Sequence, residues 1–274
     1  PASGHEAMAA LAPHLTETVF ALGRGSVVVA VGDFDAYPPE VAALPRAGGY
    51  IDPNLEKIAI LNPELIIAPG KHQKLTDFAA LKGLQVLNVN MDSLASIDAG
   101  IETIGNALGA QAQARALRER IRTELDAVRA AVANRPRPKV LIITMRQDHN
   151  LNTLYTAHGG SFLSELVSVA GGDSIYEDTG VSYPEASKET VVMKSPDVIL
   201  ELHAGENLTP EDAERYQADW NALPSLPAVK NGRVYLVTES YAMRPGPRVA
   251  EVARIIARRL HPDAAIPDRE LGQP

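Results

Sequence analysis

Between Ala110 and Asn134 the chain carries no Gly and no Pro, and this run most narrows what it can fold into. Leu117, Ile121, Leu125, Val128 and Val132 follow one another at spacings of 4, 4, 3 and 4, which place a single apolar stripe on a helix. Charges fill the other face, with Arg115/Glu119, Arg120/Glu124 and Arg122/Asp126 at i,i+4. Arg135-Pro136-Arg137-Pro138 ends the run, because Pro cannot continue a helix and restricts the residue before it. About 25 residues at 1.5 Å each give a rod of roughly 37 Å. Such a helix in mid-chain is either an amphipathic surface helix or a stiff connector packed against two domains.

On both sides of it, short apolar runs alternate with helical patterns. The runs are Val27–Val31, Leu65–Ala68, Val86–Val89, Val140–Thr144, Val198–Leu202 and Val234–Val237. Near-continuous apolar runs of this length suit strands of a parallel sheet covered on both faces, joined as βαβ units. A length of 274 residues fits two domains. The expected division is an N-terminal α/β lobe over 1–109, a connecting helix over 110–135 and a C-terminal α/β lobe over 136–274. No run approaches the ~18 apolar residues of a membrane span. A net charge of −8 argues against bulk electrostatic binding to nucleic acid or an anionic membrane. The chain has no Cys, which removes thiolate metal sites, disulfides and Cys nucleophiles.

The two halves repeat. Leu15-Thr16-Glu17-Thr18-Val19 leads to Gly23 as Leu163-Ser164-Glu165-Leu166-Val167 leads to Gly171, with six residues from Glu to Gly in both. Asn54-Leu55-Glu56-Lys57 leads to Pro63-Glu64-Leu65-Ile66 as Ser187-Lys188-Glu189-Thr190 leads to Pro196-Asp197-Val198-Ile199, with seven residues from Glu to Pro. Each second pair reads as an N-cap (Asn54, Ser187), a short helix, a Pro that stops it and a strand.

An ordered series of short motifs covers nearly the whole chain. It runs through Ala12-Pro13-His14-Leu15-Thr16-Glu17, Tyr37-Pro38-Pro39-Glu40, Gly48-Gly49-Tyr50 and Asn54-Leu55-Glu56. It continues with Tyr183-Pro184-Glu185-Ala186-Ser187 and Arg244-Pro245-Gly246-Pro247-Arg248. This series resembles the helical-backbone solute-binding proteins of ABC importers, which serve cobalamin, ferric siderophores and haem. The Asp35-x-Tyr37-Pro38-Pro39 turn, Asn54-Leu55-Glu56 and the Arg-Pro-Gly-Pro-Arg run are most similar to the cobalamin-binding branch.

The resemblance implies two Rossmann-like lobes with central, mostly parallel sheets, joined by a single long helix, with the ligand held in a cleft between them. It implies a permease dimer as partner, docked through one Glu per lobe. Glu56 and Glu189 match those positions, although a first-turn Glu also suits the helix dipole on its own account. It further implies a monomer in the periplasm or another extracytoplasmic space, soluble or lipid-anchored, with its signal segment removed. The start at Pro1 rather than Met agrees with such processing.

Tyr50 matches a family position that faces the ligand, and Tyr183 holds a similar place in the second half. Each is otherwise a loop-packing Tyr. His14 stands where the family has a small residue; it either meets the ligand or its metal, or only opens the next helix. His72, His203 and Arg146 fall in loops after apparent strands. Tyr241 and Arg244 follow the last strand, where Arg244 suits an anionic substituent. Trp220 reads as structural. No HxH or HExxH spacing is present, so no protein metal site and no cofactor are expected, and any Co or Fe arrives within the ligand.

Enzyme readings fare poorly. No GxGxxG follows a strand, no GxxxxGK[ST] occurs, and Gly159-Gly160-Ser161-Phe162 lacks the closing glycine of a nucleophile elbow. A sensor or adaptor would use the Glu56/Glu189 pair equally well. The favoured expectation is capture of a corrinoid and its delivery to a permease, with a ferric siderophore or haem as the alternative.

Overall fold

The computed structural model describes residues 5–177 and 183–268. Pro1–Gly4, on which the processing expectation rests, lie outside the described residues.

In chain order the elements are β1 (Met8–Ala10), α1 (Pro13–Ala21), β2 (Val28–Val31), α2 (Leu55–Leu61), β3 (Leu65–Pro69), α3 (Gln73–Lys82), β4 (Gln85–Val89) and α4 (Leu94–Ala107). The long helix α5 (Gln111–Val132) follows. Then come β5 (Lys139–Arg146), β6 (Leu154–Thr156), α6 (Phe162–Val169), β7 (Asp173–Ser174), β8 (Glu185–Ala186), α7 (Lys188–Lys194) and β9 (Val198–Leu202). The chain ends with α8 (Pro210–Asp219), α9 (Pro227–Lys230), β10 (Val234–Val237) and α10 (Val249–Leu260). The residues form two compact units. One runs to Ile121 and includes Arg244–Pro247; the other holds Arg122–Met243 and the chain from Arg248.

The first unit carries a parallel sheet in the order β2-β1-β3-β4. β1 is central, so its Met8, Ala9 and Ala10 are wholly buried. Around it Leu11, Ala30, Ile58, Ile66, Ala68 and Leu75 form the core between sheet and helices. The chain crosses from β2 past β1 to β3, which makes the carboxyl ends of β1 and β3 the switch point of this open α/β sheet, the end at which such sheets receive ligands.

The second unit carries the order β10-β9-β5-β6-β8, with β7 pairing the start of β5. β10, β9 and β5 are parallel, while β6 is antiparallel to both neighbours. Its core gathers Leu141, Ile143, Leu154, Val191, Ile199 and Trp220.

Leu117, Ile121, Leu125, Val128 and Val132 of α5 are all buried, as the stripe predicts. Its charges also make pairs beyond the i,i+4 ones. Arg118 forms a two-bonded pair with Asp98 of α4 and reaches Glu102; within the second unit Glu124 takes Arg254 of α10. Asp126 pairs with Arg129 at i,i+3 rather than with Arg122. A two-bonded guanidinium–carboxylate contact with a neighbouring helix outweighs a solvent-exposed pair along one helix.

The internal repeat is structural. Gly23 and Gly171 both take positive φ (70° and 78°) after their helices. Gly23 N donates to Phe20 O and Arg24 N to Val19 O, and Gly171 N donates to Ser168 O and Gly172 N to Val167 O. This is one helix-ending motif built twice, and its left-handed residue calls for Gly.

Candidate functional site

Four loops stand at the carboxyl ends of the first unit's strands. The loop after β2 is gathered by Arg46, whose guanidinium donates to the carbonyls of Gly32 (3.0 Å), Asp35 (2.6 Å) and Val41 (3.4 Å). Asp33 N donates to Gly48 O, which ties this loop to the Gly48-Gly49-Tyr50 turn. Gly48 has φ 88°, and a Cβ there would come within 2.5 Å of Asn54 N, so only Gly fits. The Phe34 ring lies against Gly49. Four apolar side chains stand exposed on these joined loops: Phe34 (70%), Tyr37, Tyr50 (47%) and Ile51. Single exposed apolar residues are ordinary; four on adjoining loops at one end of a sheet form an apolar surface open to solvent.

Sequence reasoning found Tyr50 and missed Phe34, Tyr37 and Ile51. The signal was present, since a bare Phe in Gly32-Asp33-Phe34-Asp35 has no strand or helix to pack it.

His72 caps α3: its Nδ1 accepts from Leu75 N at 3.3 Å, so Nε2 carries the proton and donates to Ile51 O at 2.9 Å. The ring therefore holds the Tyr50–Ile51 turn to α3, a positioning contact.

Arg244 returns to the first unit, with Nη1 3.1 Å from buried Glu17 and Nη2 against Phe34 O at 3.5 Å. It braces the loop that carries Phe34. His14 lies half-buried at the start of α1. Burial lowers its pKa to about 4, with Asp92 opposing and Arg244 assisting, so the imidazole is neutral at neutral pH. Asp35 is buried beside Thr16, and burial raises its carboxyl to about 6 against the pull of Thr16, Arg46 and Arg244.

In the second unit the expectation that Arg146 and His203 face a ligand gives way to another role. The Arg146 side chain is 2% exposed. It donates to Glu201 (2.5 Å), Asp219 (2.9 Å), Asn150 O and Tyr216 O, and its guanidinium stacks on the Tyr216 ring at 4.7 Å. His203 bridges Glu201 (2.9 Å) and Glu206 (2.8 Å). Burial alone would lower its pKa, but the two carboxylates reverse that and raise it. Trp220 Nε1 donates to the other oxygen of Glu201 at 2.8 Å, the structural role its sequence context implies. Glu201, inside β9, is buried with three donors on its carboxylate, and its pKa falls despite burial because of them. The cluster locks the ends of β5 and β9 to α8, because each buried charge needs its partners.

Tyr183 is half-exposed with φ 56°. Tyr241 packs under the Arg248 guanidinium at 4.3 Å, and burial raises its hydroxyl pKa. Glu56 and Glu189 are exposed in the first turns of α2 and α7. Asn54 and Ser187 cap those helices through Lys57 N and Thr190 N, as expected. Among the described residues no group of three or more His, Asp or Glu is placed to hold a metal, and no helix is long and apolar enough to cross a membrane.

A family model described as periplasmic binding protein matches residues 8–241. The chain belongs to that family. The family is one of substrate-binding proteins. The chain is 30% identical over 261 residues to a vitamin B12-binding protein of Vibrio cholerae serotype O1, covering 93% of this chain and 89% of that protein. It is 27% identical over 269 residues to a vitamin B12-binding protein of Yersinia pestis, covering 97% and 89%. The crystal structure of the periplasmic vitamin B12-binding protein of Vibrio cholerae is similar with a TM-score of 0.78 at 27% identity, over 94% of this chain and 97% of that one. A periplasmic heme-binding protein from Roseiflexus also gives 0.78, at 25% identity, over 94% and 99%. The two-lobe α/β fold with mostly parallel sheets is common to these family members.

Proposed function

We propose that this chain is the extracytoplasmic binding component of an ABC importer, and that it captures a corrinoid and delivers it to a permease dimer. The observation that carries the ligand class is the exposed set of Phe34, Tyr37, Tyr50 and Ile51 on the connection that follows β2, at the carboxyl end of the first sheet. A large planar macrocycle offers flat faces that gain most from aromatic rings and lose little by lacking charged contacts. Tyr183 and Tyr241 are assigned to the ligand from the second unit. Arg244 and His14 support the first. The vitamin B12-binding names of the relatives favour a corrinoid among planar ligands.

Haem is the second reading, favoured by His14. A half-buried imidazole kept neutral is a competent iron ligand, whereas a protonated one is not. No chemistry is asked of the protein in either case, and the metal belongs to the cargo. Titration with cyanocobalamin, cobinamide, haemin and ferric siderophores, followed by visible absorbance and calorimetry, tests the reading. Tight 1:1 binding of the corrinoids alone is expected. Binding of haemin alone transfers the assignment to haem, and binding of none of them contradicts it.

Glu56 and Glu189 are assigned to the permease. Exposed carboxylates of this kind steer encounter and fix orientation more than they add affinity.

A further inference from the structure

The helices that carry Glu56 and Glu189 match beyond the acid. From the capping residues (Asn54, Ser187) to the left-handed C-caps (Asn62, φ 45°; Ser195, φ 52°) and the strands that follow, every position corresponds. Two residues after each Glu stands a fully buried anchor, Ile58 or Val191. At 100° per residue this anchor lies about 200° round from the acid, so it fixes the acid outward. Four residues after each Glu stands a large apolar side chain, Ile60 or Met193, about 40° round from the acid and one turn along. Ile60 is 82% exposed and Met193 77%.

Neither side chain serves its own unit's core, and an exposed Ile alone would need no explanation. The same placement beside the same acid in both halves does. A shallow recess of about 270 Å³, bounded by Pro45, Arg46, Lys57, Ile60 and Leu61, adjoins Ile60. We infer that each docking face is a carboxylate–apolar pair, Glu56 with Ile60 and Glu189 with Met193, and that the occupant is the importer's permease. The partner's matching surface offers a basic group with an apolar seat one helical turn away, presented twice. Charge sets the approach and register; Ile60 and Met193, desolvated on contact, slow the departure.

This inference rests on the importer reading above, and the test separates the two. The full protein is bound to the permease complex of its importer in lipid nanodiscs, with empty nanodiscs as a control. Wild type is compared with Ile60→Ser/Met193→Ser and with Glu56→Gln/Glu189→Gln. The apolar double variant is expected to lose about tenfold in affinity, mainly through faster dissociation, with the salt dependence of association unchanged. The acid double variant is expected to lose association rate and salt dependence. Wild-type dissociation in the apolar variant, with the acid variant impaired, overturns the apolar half and leaves the importer reading standing. Binding of wild type to empty nanodiscs that Ile60→Ser/Met193→Ser removes overturns the inference in favour of lipid. Absence of any wild-type binding to the permease overturns both.

Discussion

Arg146 Nε lies 2.5 Å from Glu201 Oε1, and both side chains are almost wholly shielded from water. Removing either partner strands the other's charge in the interior, which costs about 3–5 kcal/mol. Arg146→Ala is therefore expected to lower unfolding stability by about 3 kcal/mol or more in urea titrations. Its ligand affinity, measured where it remains folded, stays within about twofold of wild type, because Arg146 is committed to Glu201, Asp219 and two carbonyls.

His72→Ala removes both the α3 cap and the tether to Ile51 O. A stability loss of about 1 kcal/mol is expected from the cap. His72→Asn restores the cap but not the longer reach to Ile51. Loss of ligand affinity in both variants, with stability recovered only in Asn, identifies the tether; recovery of both in Asn contradicts it.

Asp35 and His14 titrate in opposite senses. Burial raises Asp35 from 3.8 to about 6, so folding favours its protonated form. That contribution is complete below pH 3.8 and lost as pH rises through about 6. Burial lowers His14 from 6.5 to about 4, so folding favours the neutral ring. That contribution is complete above pH 6.5 and lost as pH falls through about 4. Asp35→Asn is expected to gain about 2–3 kcal/mol relative to wild type between pH 4 and pH 7. His14→Gln is expected to gain in the other direction, from pH 7 to pH 4. Denaturant titrations at both pH values check each sign.

The strands that were legible were those with near-continuous apolar runs: β2 to β5, β9 and β10 each overlap the expected segment. β1 was hidden because Met8-Ala9-Ala10 is three residues with no strand preference; its burial comes from lying centrally in its sheet. β6, β7 and β8 have two or three residues each and exist only through pairing. The capped helices α2 and α7 and the glycine turns were legible because their chemistry is local. The buried partners of Arg146 and His203 were not legible, because a charge after a strand looks the same whether it faces water or folds back onto a buried acid. The lone Glu201 within Val198–Leu202 was the missed sign, since an acid in an otherwise apolar strand requires partners.

The central claim is that aromatic rings at the end of the first sheet grip a flat cargo. Calorimetric titration of cyanocobalamin into wild type and into Phe34→Ala/Tyr50→Ala tests it most directly. Both residues are exposed, so the thermal midpoint should stay within a few degrees. Truncating two aromatic contacts should cost about 2–4 kcal/mol, or roughly 30- to 1,000-fold in affinity. Wild-type affinity in the folded double variant would contradict the account.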